Sequence, residues 1–144
     1  MADKIDLEVV TPEQAVFHEP VDDVVVPGVL GQMDILPGHL PTLAALDVGQ
    51  MTIRQGDKER HFLIDQGFAE VHEDRVTVLT EACEGVDDID IEQAKLLLEK
   101  SAEELARLEE ASRSEEVEEE LFDRHRLSLK RQRMRLAFAK EELD

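Results

Sequence analysis

Five histidines, one cysteine and 35 Asp and Glu are the residues of this 144-residue chain with the chemistry for catalysis or metal binding. The histidines, His18, His39, His61, His72 and His125, fall in no HxxxH, HxH or HExxH spacing, so no single helix or strand presents a ligand pair. A metal-dependent β-barrel could still gather His39, His61 and His72 from different strands, and the sequence leaves that reading open. Cys83 has no second thiol for a disulfide or a CxxC motif and suits a small apolar filler at a strand end. Carboxylates are so abundant that their pairing singles out no acid–base couple. GxGxxG, GxxxxGK[ST] and GxSxG are all missing, so an enzyme has no site to stand on.

The elements that would position such groups come in two kinds. All five prolines lie within residues 12–41 and all seven glycines within residues 28–85, which leaves the C-terminal part without either helix breaker. Up to about Glu84 the chain reads as short strands, IDLEVV, AVFH, DDVVVP, GQMDIL, GQMTIRQ, RHFLIDQ, GFAEVH and RVTVLTEA, several alternating apolar and polar residues. Short strands at this spacing with no helical pattern between them predict an antiparallel β-sandwich or barrel. Beyond GVDDID, Ile91, Ala94, Leu98, Leu105 and Leu108 recur at helical spacing, with Asp87, Asp88 and Asp90 placed to cap the helix start. The polar break ASRSEE then separates a second helix over residues 115–143, with Ser112 or Ser114 as its expected N-cap. The expectation is an α+β protein: a sandwich over 1–86 followed by an antiparallel two-helix hairpin over 87–144.

Charge excludes some partners and suggests others. A net charge of -19 repels nucleic-acid phosphates and anionic lipid. MADKIDLEVV carries charges where a signal peptide needs an apolar core, and no apolar run reaches membrane-spanning length, so a cytoplasmic location without membrane insertion is expected. The second helix starts with EEVEEE, yet residues 124–140 hold Arg124, Arg126, Lys130, Arg131, Arg133, Arg135 and Lys140 without one acid. Phe122, Leu129, Leu136 and Leu143 form one apolar ridge, and Leu127, Met134 and Phe138 another. One ridge is expected to pack on the first helix, leaving the other for a partner. The charge order either complements the helix dipole or docks the helix on an acidic surface.

The stretch VVVPGVLGQMDILPGHLPTLAAL, with GFAEV and RVTVLTEA after it, resembles the epsilon subunit of bacterial F-type ATP synthases. The motif PG-x2-G-x3-ILPGH-x-P covers Pro27, Gly28, Gly31, Pro37, Gly38, His39 and Pro41, and reads as two tight turns around a short strand, with His39 bracing a turn. The resemblance implies a non-catalytic rotor subunit of the central stalk, on the cytoplasmic face of the inner membrane, that couples proton-driven c-ring rotation to ATP synthesis. It implies that the sandwich grips the gamma subunit and that Val29, Leu30, Gly31, Gln32 and Met33 face the c-ring loops, Gln32 standing where many family members carry an acid. It further implies that the hairpin, when extended, meets the beta and alpha subunits through Arg124, Arg126, Lys130, Arg131, Arg133 and Arg135 and impedes ATP hydrolysis. The family's ATP motif maps onto Ile89, Asp90 and Ala94 as a weak ATP site, but Gln93 replaces its arginine, so ATP sensing is expected to be weak or absent unless Arg124, Arg126 or Arg131 on the facing helix supplies the missing cation. Outside the family, the alternative is a free-standing adaptor built of a sandwich and a coiled coil.

Overall fold

Alternation sets the strands. In β1 (Ile5–Val10), Ile5, Leu7 and Val9 are buried while Asp6 is exposed and Glu8 half-buried, the pattern of one face turned to a core and one to water. The same logic gives β2 (Ala15–Val21), β3 (Asp23–Gly28), β4 (Gly31–Ile35), β5 (Thr42–Leu46), β6 (Gly49–Gln55), β7 (Lys58–Ile64), β8 (Gly67–His72), β9 (Arg75–Thr80) and the short β10 (Cys83–Glu84). The computed structural model describes residues 3–143, with side chains through Lys140. The chain forms two compact units, divided between Val86 and Asp87.

In the first unit the strands hydrogen-bond in the order β10-β7-β6-β3-β5-β8-β9-β1-β2, and among the described residues β4 pairs with β3 only. This is the expected sandwich, wrapped around Ile5, Leu7, Val9, Val24, Val26, Ile35, Met51, Ile53, Val76 and Val78. Its ladders are antiparallel except one: β1 runs parallel to β9, Leu7 beside Val76 and Val9 beside Val78. β5 is absent from the strand pattern of the sequence because it is apolar on both faces, with Leu46 buried and Leu43 exposed. β2 runs on past AVFH through Pro20, which is tolerated because β2 ends the sheet and no neighbour needs the missing N–H. Cys83 packs half-buried against the core and pairs with Ile64.

The second unit is a helical hairpin. A 3-10 turn at Val86–Asp88 leads to α1 (Ile91–Ala111), whose N-cap Asp90 accepts a hydrogen bond from the Gln93 amide at 3.0 Å. α2 spans Glu119–Leu143 and so begins four residues later than expected. The expected N-cap serines close α1 instead. Ser112 Oγ donates to the Glu109 carbonyl at 2.7 Å and Ser114 Oγ to that of Ala111 at 3.4 Å, satisfying carbonyls that a helix end leaves free.

Candidate functional site

The family motif occupies the hairpin of β3 and β4 and the loop after it. Gly28 pairs with Gly31, leaving Val29 and Leu30 as a two-residue tip. Gly31 takes φ +134°, a conformation open to glycine and strained for other residues. Gly28 is required because a Cβ there would stand 2.6 Å from the Gly31 carbonyl oxygen. The tip is tied back to β5, since the Val29 amide donates to the Ala45 carbonyl at 2.9 Å and the Asp47 amide to that of Pro27 at 2.8 Å. Leu30 is fully exposed, Val29 and Gln32 are exposed, and Met33 turns inward against the core.

The second turn of the motif is anchored as well. Gly38, at φ +82°, donates its amide to Asp74 Oδ1 at 2.7 Å, which ties the turn to the one joining β8 and β9. His39 Nδ1 lies 2.8 Å from the Leu40 carbonyl. A carbonyl can only accept, so the proton sits on Nδ1 and the ring braces the turn. The other strand histidines find separate partners: His61 Nδ1 accepts from Gln50 Nε2 at 2.9 Å, and His72 is exposed beside Glu73. Among the described residues no group of three or more His, Cys, Asp or Glu is placed to hold a metal ion, so the histidine-barrel reading has no geometry.

One feature escaped sequence reasoning. Ala45, Phe68 and Leu79 stand side by side on β5, β8 and β9, Val10 follows on β1, and Leu43 lies two residues along β5. Leu43 is 71% exposed, Phe68 52% and Leu79 47%. This is an apolar stripe on the outward face of four neighbouring strands, the pattern of a contact surface. The signal available was the apolar residue at the polar parity of GFAEV and TLAAL.

In the hairpin the seam differs from the expected ridges. Ser101 and Ser128 share a hydrogen bond at 2.7 Å between α1 and α2, and Ser101 is buried. Ser128 lies between the two ridges, so the seam runs between them. Phe122 and Phe138 are buried and Leu127, Leu129, Met134 and Leu136 half-buried, while the side chain of Leu143 lies outside the described residues. Ser101→Ala is expected to cost the hairpin about 1–3 kcal/mol by stranding the Ser128 hydroxyl, and the double alanine variant much less, checked by thermal unfolding of both.

Arg124, Arg126, Lys130 and Arg133 are exposed, and Arg131 and Arg135 half-buried. Arg126 already has anionic partners on its own helix, Glu119 at 3.0 Å and Asp123 at 3.2 Å; the Glu119 hydrogen bond chiefly holds its guanidinium above its ordinary pKa. It also stands over the Phe122 ring at 5.3 Å. Arg135 Nη1 donates to Gln132 Oε1 at 3.0 Å. At the ATP motif, Asp90 is engaged as the α1 cap, Ile89 and Ala94 are buried, and Gln93 is exposed.

Comparison with known proteins places this architecture. The profile of the family described as the ATP synthase Delta/Epsilon chain, beta-sandwich domain, matches residues 4–86. An ATP synthase epsilon chain of Geobacter metallireducens is 36% identical over 124 residues, covering 86% of this chain and 90% of that one. One from Carboxydothermus hydrogenoformans is 47% identical over 107 residues, covering 74% and 80%. Among solved structures, a chain in the mitochondrial ATP synthase of Euglena gracilis (OSCP/F1/c-ring) has the same fold, with a TM-score of 0.74 at 21% identity over 98% of this chain and 82% of that one. A sandwich built on the PG-x2-G-x3-ILPGH-x-P hairpin, matched by the family profile and by relatives over most of their length, shows that the chain belongs to the family of ATP synthase epsilon chains.

Proposed function

We propose that the chain is a non-catalytic subunit of the central stalk of an F-type ATP synthase. It couples c-ring rotation to ATP synthesis, and its helices restrain ATP hydrolysis. The observation that carries this reading is the exposed apolar surface of a sandwich with epsilon-chain sequence: the stripe of Leu43, Ala45, Phe68 and Leu79, and the protruding tip at Val29 and Leu30. A lone protein has little reason to leave so much apolar area in water, whereas a stalk subunit covers it with its neighbour.

In this reading the stripe grips the gamma subunit. The tip, with Leu30 and Gln32, meets the polar loops of the c-ring, and neutral Gln32 contributes a hydrogen bond rather than an ion pair. The basic residues of α2 serve the hairpin when it reaches the beta and alpha subunits. Asp90 serves α1 as its cap, and with Gln93 in place of an arginine the motif itself offers no cation to a nucleotide phosphate, so ATP sensing there is weak or absent. No helix of the described residues is long and apolar enough to cross a membrane, in keeping with a peripheral place on the cytoplasmic face of the inner membrane. The protein takes no nucleic acid as partner.

Phe68→Asp is expected to weaken association with a gamma-containing ATP synthase head at least about tenfold. A buried Phe contributes roughly 1.5–3 kcal/mol and a buried unpaired carboxylate opposes docking. Titrating the variant against the head by surface plasmon resonance checks this; unchanged affinity removes the stripe from the gamma contact.

A further inference from the structure

Three strands bring together charges that the sequence keeps apart. Asp34 on β4 pairs with Val25 of β3, and Asp23 of β3 pairs with Arg54 of β6, so the three side chains share one face of the sheet. Arg54 Nη1 lies 2.9 Å from Asp23 Oδ2 and 3.7 Å from Asp34 Oδ2, and its Nε lies 3.9 Å from Glu59 Oε2 on β7. One guanidinium thus faces three carboxyl groups. Asp23 is buried and holds the short contact to Arg54, while Asp34 is the less compensated of the two aspartates.

Further charges border the cluster. His61 on β7 reaches Glu59 at 3.5 Å, and Asp22 is engaged by Lys4 and the Gly56 amide. β4 carries no titratable side chain other than Asp34.

We propose that Asp34, Asp23 and Arg54 form a proton-operated clamp that ties the edge strand β4 to the sheet when one proton is shared between the two aspartates and loosens it when that proton leaves. Among the described residues β4 pairs with β3 only, so the contact of Asp34 with Arg54, which also holds Asp23, is its side-chain tie onward to β6. With the proton gone, three carboxylates compete for one guanidinium, and Asp34, at the exposed end, is free to swing into water.

The hydrogen bond to Asp23, followed by burial and the Asp23 charge, raises Asp34 from 3.8 to about 6, against the pull of Arg54. The sign follows. Between roughly pH 4 and pH 6 the folded chain keeps a proton that the unfolded chain has released, so stability falls as pH rises through that window. β4 leads out of the tip at Val29 and Leu30, so the clamp would make the stiffness of that tip depend on pH. That consequence rests on the ring-contact reading of the tip, while the clamp itself does not.

The test uses the isolated full-length chain, and so succeeds or fails independently of any stalk contact. Carboxyl carbon NMR should show Asp34 titrating near pH 6. Amide exchange in Gly31–Ile35, corrected for its intrinsic pH dependence, should rise about tenfold from about pH 5 to about pH 8. Asp34→Asn, which keeps a hydrogen bond and cannot ionise, should hold β4 equally protected at both values. An Asp34 midpoint near that of an ordinary aspartate, β4 exchange independent of pH, or an Asp34→Asn variant with the wild-type pH dependence would each overturn the clamp.

Discussion

Gly67→Ala is expected to destabilise the sandwich by more than about 3 kcal/mol, the range reached when a buried backbone must move. A Cβ at position 67 would stand 1.8 Å from the Leu79 carbonyl oxygen and 2.9 Å from the Thr80 Cα. Both belong to β9, and no side-chain rotation relieves a clash with backbone. Nor can β8 retreat, because Gly67 is paired on its other side with Leu46 of β5. The crossing is tight because the buried Thr80 hydroxyl knits the two segments together: it donates to the Asp65 carbonyl at 2.9 Å and accepts from the Asp65 amide at 3.1 Å. A domain of this size has about 5–15 kcal/mol to lose, so the variant should lose a large share of its denaturant midpoint. Gly31→Ala is the control. Nothing stands within 4 Å of its Cβ, so only the strain of φ +134° applies, about 1–3 kcal/mol. A Gly67→Ala midpoint within experimental error of the wild type would show that the close approach of β8 and β9 is not real.

The second large effect is expected on activity. Removing residues 87–144 should raise ATP hydrolysis by the synthase head severalfold, and full-length chain should restore the restraint. Changing Arg124, Arg126, Lys130 and Arg131 together to Ala should reproduce much of the rise. Exposed charges contribute about 0.2–1 kcal/mol each, so four of them shift a docking equilibrium by roughly fourfold or more. The effect should fade as ionic strength rises. Arg126 alone should matter least, because docking must first release it from Glu119 and Asp123. Hydrolysis unchanged by removing the hairpin would reduce the charge order of α2 to its helix-dipole role.

Much of the fold was legible because it rests on local chemistry. Eight strands and two helices follow from alternation and from the confinement of Pro and Gly to residues 12–85. β5 was not legible, since Leu43 and Ala45 erase its polar face, and those same residues build the apolar stripe. The start of α2 was not legible because a serine, though a preferred N-cap, can also donate its hydroxyl to the last carbonyls of a helix, and the Glu109 and Ala111 carbonyls are what Ser112 and Ser114 meet. The seam was misplaced because it joins two hydroxyls, which no apolar pattern reveals. The motif at Pro27, Gly28, Gly31, Pro37, Gly38, His39 and Pro41 stood out because turns demand particular residues. The Asp23, Asp34 and Arg54 cluster did not, since its members meet only through strand register.

In the proposed stalk role this sandwich rides on the rotor with the tip of its β3–β4 hairpin against the ring. A photo-reactive amino acid at Leu30, the fully exposed tip residue, tests it most directly in the assembled synthase. An adduct between this chain and a c-ring subunit is expected, with ATP-driven proton pumping lost once the link forms. Adducts only to subunits outside the central stalk and ring, with pumping unaffected, would contradict it.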